Sequence, residues 1–212
     1  SPRQPRRPSA GGDVKTRLRD EARAKVREAI LEATRDLFAE SGLASISMRR
    51  VAAEVGYSPR TIYLHFDDKD DLLSELIEEE VGRLADRLES ARAAAESNER
   101  LQAVARAYVR FALECPHAYE AIFLIRSHPF SREASAAKQH VQGQRMLAAL
   151  ARTVRESQTL PTDADPELAV QGFRCALHGV ASLVALGRDL GGTSWENLVA
   201  EMATRVVAGD EA

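Results

Sequence analysis

The chain has 212 residues, of which 44% are hydrophobic and 29% are charged, and its formal net charge is −3 at pH 7. This composition fits a globular chain with one small and one medium domain, and excludes a disordered one. We find no apolar run long enough to cross a bilayer and no signal-peptide core, so we expect a cytoplasmic protein without membrane partners. Two cysteines argue against a disulfide framework and fit a reducing compartment.

The N-terminal part of the chain is the more basic. Residues 1–70 carry 14 Lys/Arg against 11 Asp/Glu, whereas residues 71–212 carry 15 against 21. Residues 1–20 are rich in Pro, Gly and Arg, so we predict a flexible segment there. This segment is either a solvated tail or a basic arm that enters a DNA minor groove. The arm would use Arg3, Arg6, Arg7, Lys15, Arg17 and Arg19.

Residues 21–41 have apolar side chains at helical spacing and predict a first helix that ends at Gly42. The side chains that should cover the following helices are Val26, Ala29, Ile30, Ala33, Leu37 and Phe38.

The next stretch predicts two short helices joined by a tight turn. Ser47 can cap the first helix, and Gly56 can end it in a left-handed conformation. Ser58 followed by Pro59 can start the second. This is helix-turn-helix spacing, in which the second helix lies in a DNA major groove, although an ordinary helical hairpin shows the same spacing. The apolar positions that would pack together are Val51, Ala52, Val55, Ile62 and Phe66.

Residues 51–72, V-A-A-E-V-G-Y-S-P-R-T-I-Y-L-H-F-D-D-K-D-D-L, resemble the DNA-binding signature of TetR-family repressors, and residues 29–42 resemble the first helix of that family. The resemblance implies an all-α fold with a three-helix helix-turn-helix domain over 21–68. It also implies a larger C-terminal domain over 69–212 for ligand binding and dimerisation. The implied function is repression: a homodimer binds a palindromic operator in double-stranded DNA, and a small-molecule effector releases it.

The resemblance also implies which residues contact DNA. Arg60 stands where many relatives have a small residue, and its guanidinium can either read a guanine or bind a phosphate. The candidates for base contacts are Arg49, Pro59, Arg60, Thr61 and Leu64. The candidates for phosphate contacts are Ser47, Tyr63, His65 and Lys69.

Beyond residue 69 the pattern is helical to the end. Asp67 and Asp68 should cap a helix that runs past Leu88. Further helices are predicted over 98–114, 116–127, 132–157, 165–190 and 194–208. The last two should build the dimer through Leu168, Phe173, Leu177, Leu183, Val184, Leu198, Met202 and Val206.

Residues 107–123 resemble one group of TetR-family C-terminal domains that carries a Trp-His-Gly motif in its eighth helix. His178 and Gly179 match that motif, but Arg174 stands at the tryptophan position, so no effector can be carried over from the group. The family's cavity would be lined by Tyr108, Phe111, Tyr119, Phe123, Arg126, Gln142, Arg174 and His178. Plain core packing is the alternative for each aromatic residue. A buried arginine would favour an anionic ligand and a purely apolar lining a lipophilic one, and the sequence leaves both open.

An enzyme and a redox sensor are the two alternative functions. The histidines show no metal-ligand spacing and no nucleophile–base set is evident, so we expect no enzyme, no metal and no cofactor. A thiol-based redox-sensing repressor that uses Cys115 and Cys175 is a stronger alternative than an enzyme, although free cysteines usually behave as small buried hydrophobic residues.

Overall fold

The computed structural model describes residues 10–124, 141–157, 160 and 165–208. Arg126 lies outside these residues, as do Arg3, Arg6 and Arg7 of the basic N-terminus. The described residues contain helices and no strands, so the predicted all-α fold is confirmed. The chain divides into two compact units, residues 1–72 and 73–212. The domain boundary expected between residues 68 and 69 differs from this division by four residues.

The first unit begins with α1, Ala10–Ser41. The prediction of a flexible segment through residue 20 is therefore wrong for residues 10–20, which are helical. After Gly12, this stretch consists of residues that tolerate a helix, and an exposed Arg17–Glu21 pair at 3.7 Å adds support one turn apart. Helix propensity thus outweighs the lack of burial. The helix ends where Gly42 takes a φ of 68°, and a 3-10 turn, Leu43–Ser45, follows.

The predicted helix-turn-helix is present. Helix α2 spans Met48–Glu54 and α3 spans Pro59–Tyr63. The hydroxyls of Ser47 and Ser58 each accept a backbone N–H at 3.2 Å, and Gly56 has a φ of 71°. The unit closes around a core of Ile30, Leu31, Leu37, Phe38, Ile46, Val51, Ala52, Ile62 and Phe66. Val26, Ala29 and Val55 are only half-buried.

The remaining helices are α4 (Lys69–Ala94), α5 (Arg100–Glu114), α6 (Pro116–Phe123), α7 (Val141–Arg155), α8 (Pro166–Ala185) and α9 (Trp195–Ala208). In the second unit α8 is central, because it packs against α5, α7 and α9. Its N-terminus is capped by the Asp165 carboxylate, which accepts the N–H of Glu167 at 2.9 Å. The predicted extension of this helix to residue 190 is wrong, because Gly187 takes a φ of 62° just after its last turn.

By length and composition alone, α8 could cross a membrane. The sequence expectation that no segment is long and apolar enough is wrong in that sense. A core helix of a water-soluble protein passes the same test, and α8 packs against three neighbours. The side chains it contributes to the core are Val170, Phe173, Leu177, Val180 and Ala181.

The residues predicted to form the dimer do not all face outward. Phe173, Leu177 and Met202 are buried inside the protomer, so their assignment to a dimer contact is wrong. The reason is that α8 is apolar on more than one side, and periodicity does not say which side faces the protomer's own core. Leu168 and Leu183 are exposed, whereas Val184 and Leu198 are half-buried. The side chain of Val206 lies outside the described residues.

Candidate DNA-binding surface and effector cavity

The outer face of α3 is available to a partner. Ile62 is fully buried and anchors the helix, whereas Tyr63 and Leu64 are 53% and 64% exposed. Pro59 and Arg60 are also exposed, and Thr61 is half-buried with its hydroxyl 3.0 Å from that of Ser58. Because the helix is short and both of its ends are fixed, these side chains project from a well-defined frame.

Two arginines of the helix-turn-helix form no ion pair in the part of the chain that the structure describes. Arg49 in α2 and Arg60 in α3 are both exposed. Their neighbour Arg50 differs, since its guanidinium lies 3.7 Å from a Glu40 carboxylate oxygen and 3.5 Å from the Ser45 carbonyl oxygen. Ser47 is exposed and Lys69 is half-buried. Arg49 and Arg60 can therefore meet phosphates or base edges without first breaking a pair.

Sequence reasoning missed two arginines of α1 that hold the end of α3. Arg23 donates a hydrogen bond from Nη2 to the Leu64 carbonyl oxygen at 3.1 Å. The Arg27 guanidinium lies 4.6 Å from the centre of the Phe66 ring, within cation–π range. The four-residue spacing of these arginines puts them on one face of α1 and was a signal that could have found them.

His65, which lies between Leu64 and Phe66 in the chain, is half-buried. Its Nδ1 is buried and has no hydrogen-bond partner among the described residues. Burial, reinforced by the charges of Arg23 and Arg27, lowers the pKa of the imidazole below 6.5. The ring is therefore neutral at pH 7, and any phosphate contact would be a hydrogen bond from a neutral group.

The second unit contains a cavity of about 360 Å³. Four of the predicted residues line it: Tyr108, Phe123, Arg174 and His178. Sequence reasoning missed the other four, Met146, Leu147, Leu150 and Cys175. The four-residue spacing of Met146 and Leu150 on α7 was the available signal for an inward face there.

The other predicted cavity residues lie elsewhere. Phe111 is buried in the core, with the Arg87 guanidinium 5.4 Å from its ring centre. Gln142 lines a separate hollow of about 300 Å³, where its side-chain oxygen accepts a hydrogen bond from Arg145 at 2.7 Å. These two assignments are wrong, because helical spacing could not distinguish inward faces that point to different places. Tyr119 is fully buried and contacts the cavity through His178.

A hydrogen-bonded network supports His178. The Tyr119 hydroxyl lies 2.8 Å from its Nδ1, 3.2 Å from its carbonyl oxygen and 3.1 Å from the Ser182 hydroxyl. The rings of Phe123 and His178 are 5.4 Å apart and meet edge to face. The imidazole is thus held in place by hydrogen bonding on one side and by aromatic packing on another.

Among the described residues that line this cavity, only Arg174 has an ionic side chain. Burial, and after it the positive charge of Arg174, lower the pKa of His178 below 6.5. Burial also raises the pKa of the Tyr108 hydroxyl far above its usual value. The Tyr108 and His178 side chains that line the cavity are therefore uncharged at pH 7. Within the described residues, no group of three or more His, Cys, Asp or Glu side chains could hold a metal ion.

A helix-turn-helix unit followed by a larger helical unit is the architecture of a class of DNA-binding regulators. Residues 30–76 match the model for bacterial regulatory proteins of the tetR family, and residues 101–208 match the tetracyclin repressor-like C-terminal domain. The chain belongs to the TetR family of transcriptional regulators.

Similarity to individual proteins is strongest in the DNA-binding unit. HTH-type transcriptional regulators of Staphylococcus aureus are 42% identical over 55 residues, which is 26% of this chain and 30% of theirs. The chain thus spans less than a third of the length of the curated relatives it matches.

Two solved structures share the fold over most of the chain. A protein of unknown function from Rhodococcus sp. RHA1 has a TM-score of 0.70 and 26% identity, over 84% of this chain and 91% of its own. The regulator FadR from Bacillus subtilis, solved in complex with stearoyl-CoA, has a TM-score of 0.65 and 20% identity, over 87% of this chain and 99% of its own.

Proposed function

We propose that this regulator is a repressor that binds a near-palindromic operator as a homodimer and is released by a small-molecule effector. The observation that carries the proposal is the exposed face of α3, where Arg60 forms no ion pair in the described residues. Arg49 of α2 is likewise exposed and without an ion pair in that part of the chain. The protein would act in the cytoplasm, on chromosomal DNA, and without catalysis.

In this proposal α3 enters the major groove. Arg60 has the fork of donors that matches O6 and N7 of guanine, and Tyr63 and Ser47 have hydroxyls that suit phosphate oxygens. Arg23 would position α3 through the Leu64 carbonyl group and would not read bases itself. Contacts from Pro59, Thr61, Leu64, His65 and Lys69 would complete the interface.

The outer side of α8 supports the dimer. Leu168 and Leu183 on this helix, and Leu186 just beyond it, are 71%, 44% and 61% exposed. A Cβ atom added at Gly179 would meet nothing within 4 Å. Exposed leucines on a helix with space beside it favour packing against a second copy. A two-fold dimer would place two α3 helices on half-sites about one DNA turn apart.

The cavity of the second unit would bind the effector. FadR from Bacillus subtilis has been solved with stearoyl-CoA, so a protein of this fold holds a small organic ligand. An effector can shift the equilibrium between DNA-binding and non-binding conformers only by its differential affinity for them. About 1.4 kcal/mol of differential affinity corresponds to a tenfold shift.

The test is selection of bound sequences from random duplex DNA with the purified protein. We expect an inverted repeat from the unchanged protein, and weakened enrichment from Arg60→Ala. Arg188→Ala is the matched control, because Arg188 is an exposed arginine on the loop after α8. No enrichment from a folded, dimeric protein, with and without ligand candidates, would overturn the proposal.

A thiol-based redox switch remains a second candidate. Both cysteines are free; Cys175 is exposed, and Cys115 Sγ accepts a hydrogen bond from the Arg87 guanidinium at 3.8 Å. This candidate predicts that peroxide abolishes DNA binding, that a thiol reductant restores it, and that Cys175→Ser no longer responds. DNA binding that is unaffected by peroxide would exclude the switch.

A further inference from the structure

We propose that the cavity binds an amphipathic organic anion, namely a carboxylic acid with a single apolar chain whose carboxylate pairs with Arg174. This inference rests on the proposed effector response and names the chemical class of the effector. It resolves the two alternatives that the sequence left open, because the anionic and the lipophilic features belong to the same ligand.

No described residue compensates the positive charge in the cavity. Arg174 is half-buried, and the described residues that line the cavity include no Asp or Glu side chain. Within the described residues its guanidinium forms no ion pair. The positions one turn away on α8 are Val170, Gln171, Leu177 and His178, none of which is acidic. A guanidinium at an apolar surface attracts an anion more strongly than one in water, because the local dielectric constant is lower.

The rest of the lining suits an apolar chain. Tyr108 and Phe123 provide aromatic faces, and Met146, Leu147 and Leu150 of α7 provide aliphatic surface. Methionine has a flexible side chain that adapts to ligands of different shape. A small polar molecule would leave this surface uncovered, so the anionic group must carry a hydrophobic tail.

The volume sets the length of tail that the cavity can enclose. Water occupies about 30 Å³ per molecule in the liquid, so a cavity of about 360 Å³ holds on the order of a dozen non-hydrogen atoms. A straight-chain acid of roughly ten carbons has that many atoms.

His178 provides a second polar contact. Its Nδ1 lies 2.8 Å from the Tyr119 hydroxyl, which leaves Nε2 as the ring nitrogen without a hydrogen bond in the described part of the chain. The Tyr119 hydroxyl has a single proton, which it can donate either to the His178 carbonyl oxygen or to Nδ1. When it donates to Nδ1, Nε2 carries the proton of the neutral ring. That N–H is the type of donor that a carboxylate oxygen accepts, one helical turn from Arg174.

The experiment is isothermal titration of the full chain with three ligands that share one tail: decanoate, decan-1-ol and the decyltrimethylammonium ion. We expect decanoate to bind at least tenfold more tightly than the alcohol and the cation not to compete with it. Octanoate should bind about 15-fold more weakly than decanoate, because each buried methylene contributes about fourfold to affinity.

Variants of Arg174 test whether its positive charge binds the carboxylate. Arg174→Gln should lower the affinity for decanoate at least tenfold without changing that for decan-1-ol, and Arg174→Lys should restore part of it. Arg188→Gln, which removes an exposed arginine outside the cavity, should leave both affinities unchanged. Circular dichroism checks folding, and if Arg174→Gln does not fold, the three-ligand comparison on the unchanged protein decides.

Equal affinities for decanoate and decan-1-ol would overturn the inference in favour of a neutral lipophilic ligand. Equal losses in Arg174→Gln and Arg188→Gln would also overturn it, since binding would then follow overall charge. Its failure differs from failure of the proposed function: a protein that enriches an inverted repeat but does not bind decanoate remains a repressor with another ligand. A protein that binds decanoate but enriches no DNA keeps the ligand class and loses the repressor assignment.

Discussion

The two units use arginine in opposite surroundings. Arg49 and Arg60 project from the first unit into water, whereas Arg174 lines an apolar cavity in the second. All three lack an ion pair in the described residues, so each is available to an anion. In water a single guanidinium contributes little, and affinity must come from several contacts that salt can screen. In the cavity one guanidinium can dominate the choice of ligand.

The largest expected difference between the two units is in how strongly salt weakens binding. Raising the salt concentration from about 50 to about 200 mM should weaken DNA binding by about 10³-fold or more if the dimer makes six or more phosphate contacts. Decanoate binding should change less, because it depends on a single ion pair and Arg174 is half-buried, so salt screens that pair less than it screens exposed charges. Fluorescence anisotropy with operator DNA and titration calorimetry with decanoate measure the two slopes. Parallel slopes would show that Arg174 is as exposed to salt as Arg60.

The next largest effect is expected from substitutions on the side of α8 that packs in the protomer's own core. Phe173→Ala should lower the free energy of unfolding by about 3–5 kcal/mol, because the ring is fully buried within the protomer. Leu186→Ala should cost less than about 0.5 kcal/mol in the monomer, because that side chain is exposed. Urea unfolding at several protein concentrations measures both values. A concentration-dependent loss confined to Leu186→Ala would place this residue in the dimer contact.

Arg60 tests whether α3 reads sequence. Arg60→Ala should cost about 1–3 kcal/mol on the selected operator and relax the preference at one base pair if the contact to guanine is bidentate. Arg23→Ala should instead weaken binding to all DNA sequences alike, because Arg23 holds the α3 backbone. Competition binding on operators with single base-pair changes distinguishes the two effects. An equal loss of affinity for all operators in Arg60→Ala would mean that Arg60 contacts a phosphate and not a base.

The turn between α2 and α3 depends on one backbone conformation. Gly56→Ala should lower the free energy of unfolding by about 1–2 kcal/mol, because Gly56 has a φ of 71° although a Cβ atom would meet no neighbour. Gly179→Ala is the helical comparison. Its site is equally open, so alanine should raise stability by about 0.5–1 kcal/mol at protein concentrations low enough to keep the chain monomeric, where the proposed dimer contact of α8 does not contribute. Thermal unfolding compares the variants. Equal effects would mean that the left-handed turn carries no cost.

The smallest effect concerns the histidines. Folding lowers the pKa of His65 below 6.5, so the unfolded chain binds its proton more readily. Stability therefore rises with pH between the lowered pKa and about 6.5, and is lost as the pH falls through that window. When the pH is lowered from about 7.5 to about 5, the free energy of unfolding should fall less in His65→Gln than in the unchanged protein. Urea unfolding at both pH values tests this; identical losses would mean that His65 has the same pKa in both states.

Much of the first unit could be predicted from the sequence because its signals are local. Ser47, Gly56 and Ser58 fix helix ends within three or four residues of themselves, and backbone hydrogen bonds act over the same distance. The predicted start of α1 is wrong because the composition of residues 1–20 is an average over the whole segment. The Pro, Gly and Arg of residues 1–12 dominate that average and conceal the helix-forming residues that follow them. Arg23 and Leu64 meet across 41 positions, and neither residue indicates the other in the sequence.

The sequence by itself determined the family, the all-α class, the helix-turn-helix and four of the cavity residues. Only the tertiary structure decided that Tyr108 faces the cavity while Phe111, three positions further on the same helix, faces the core. It also decided that Phe173 packs inside the protomer and that Arg174 beside it reaches the cavity. Helical periodicity defines faces of a helix, but packing against other helices decides what each face meets.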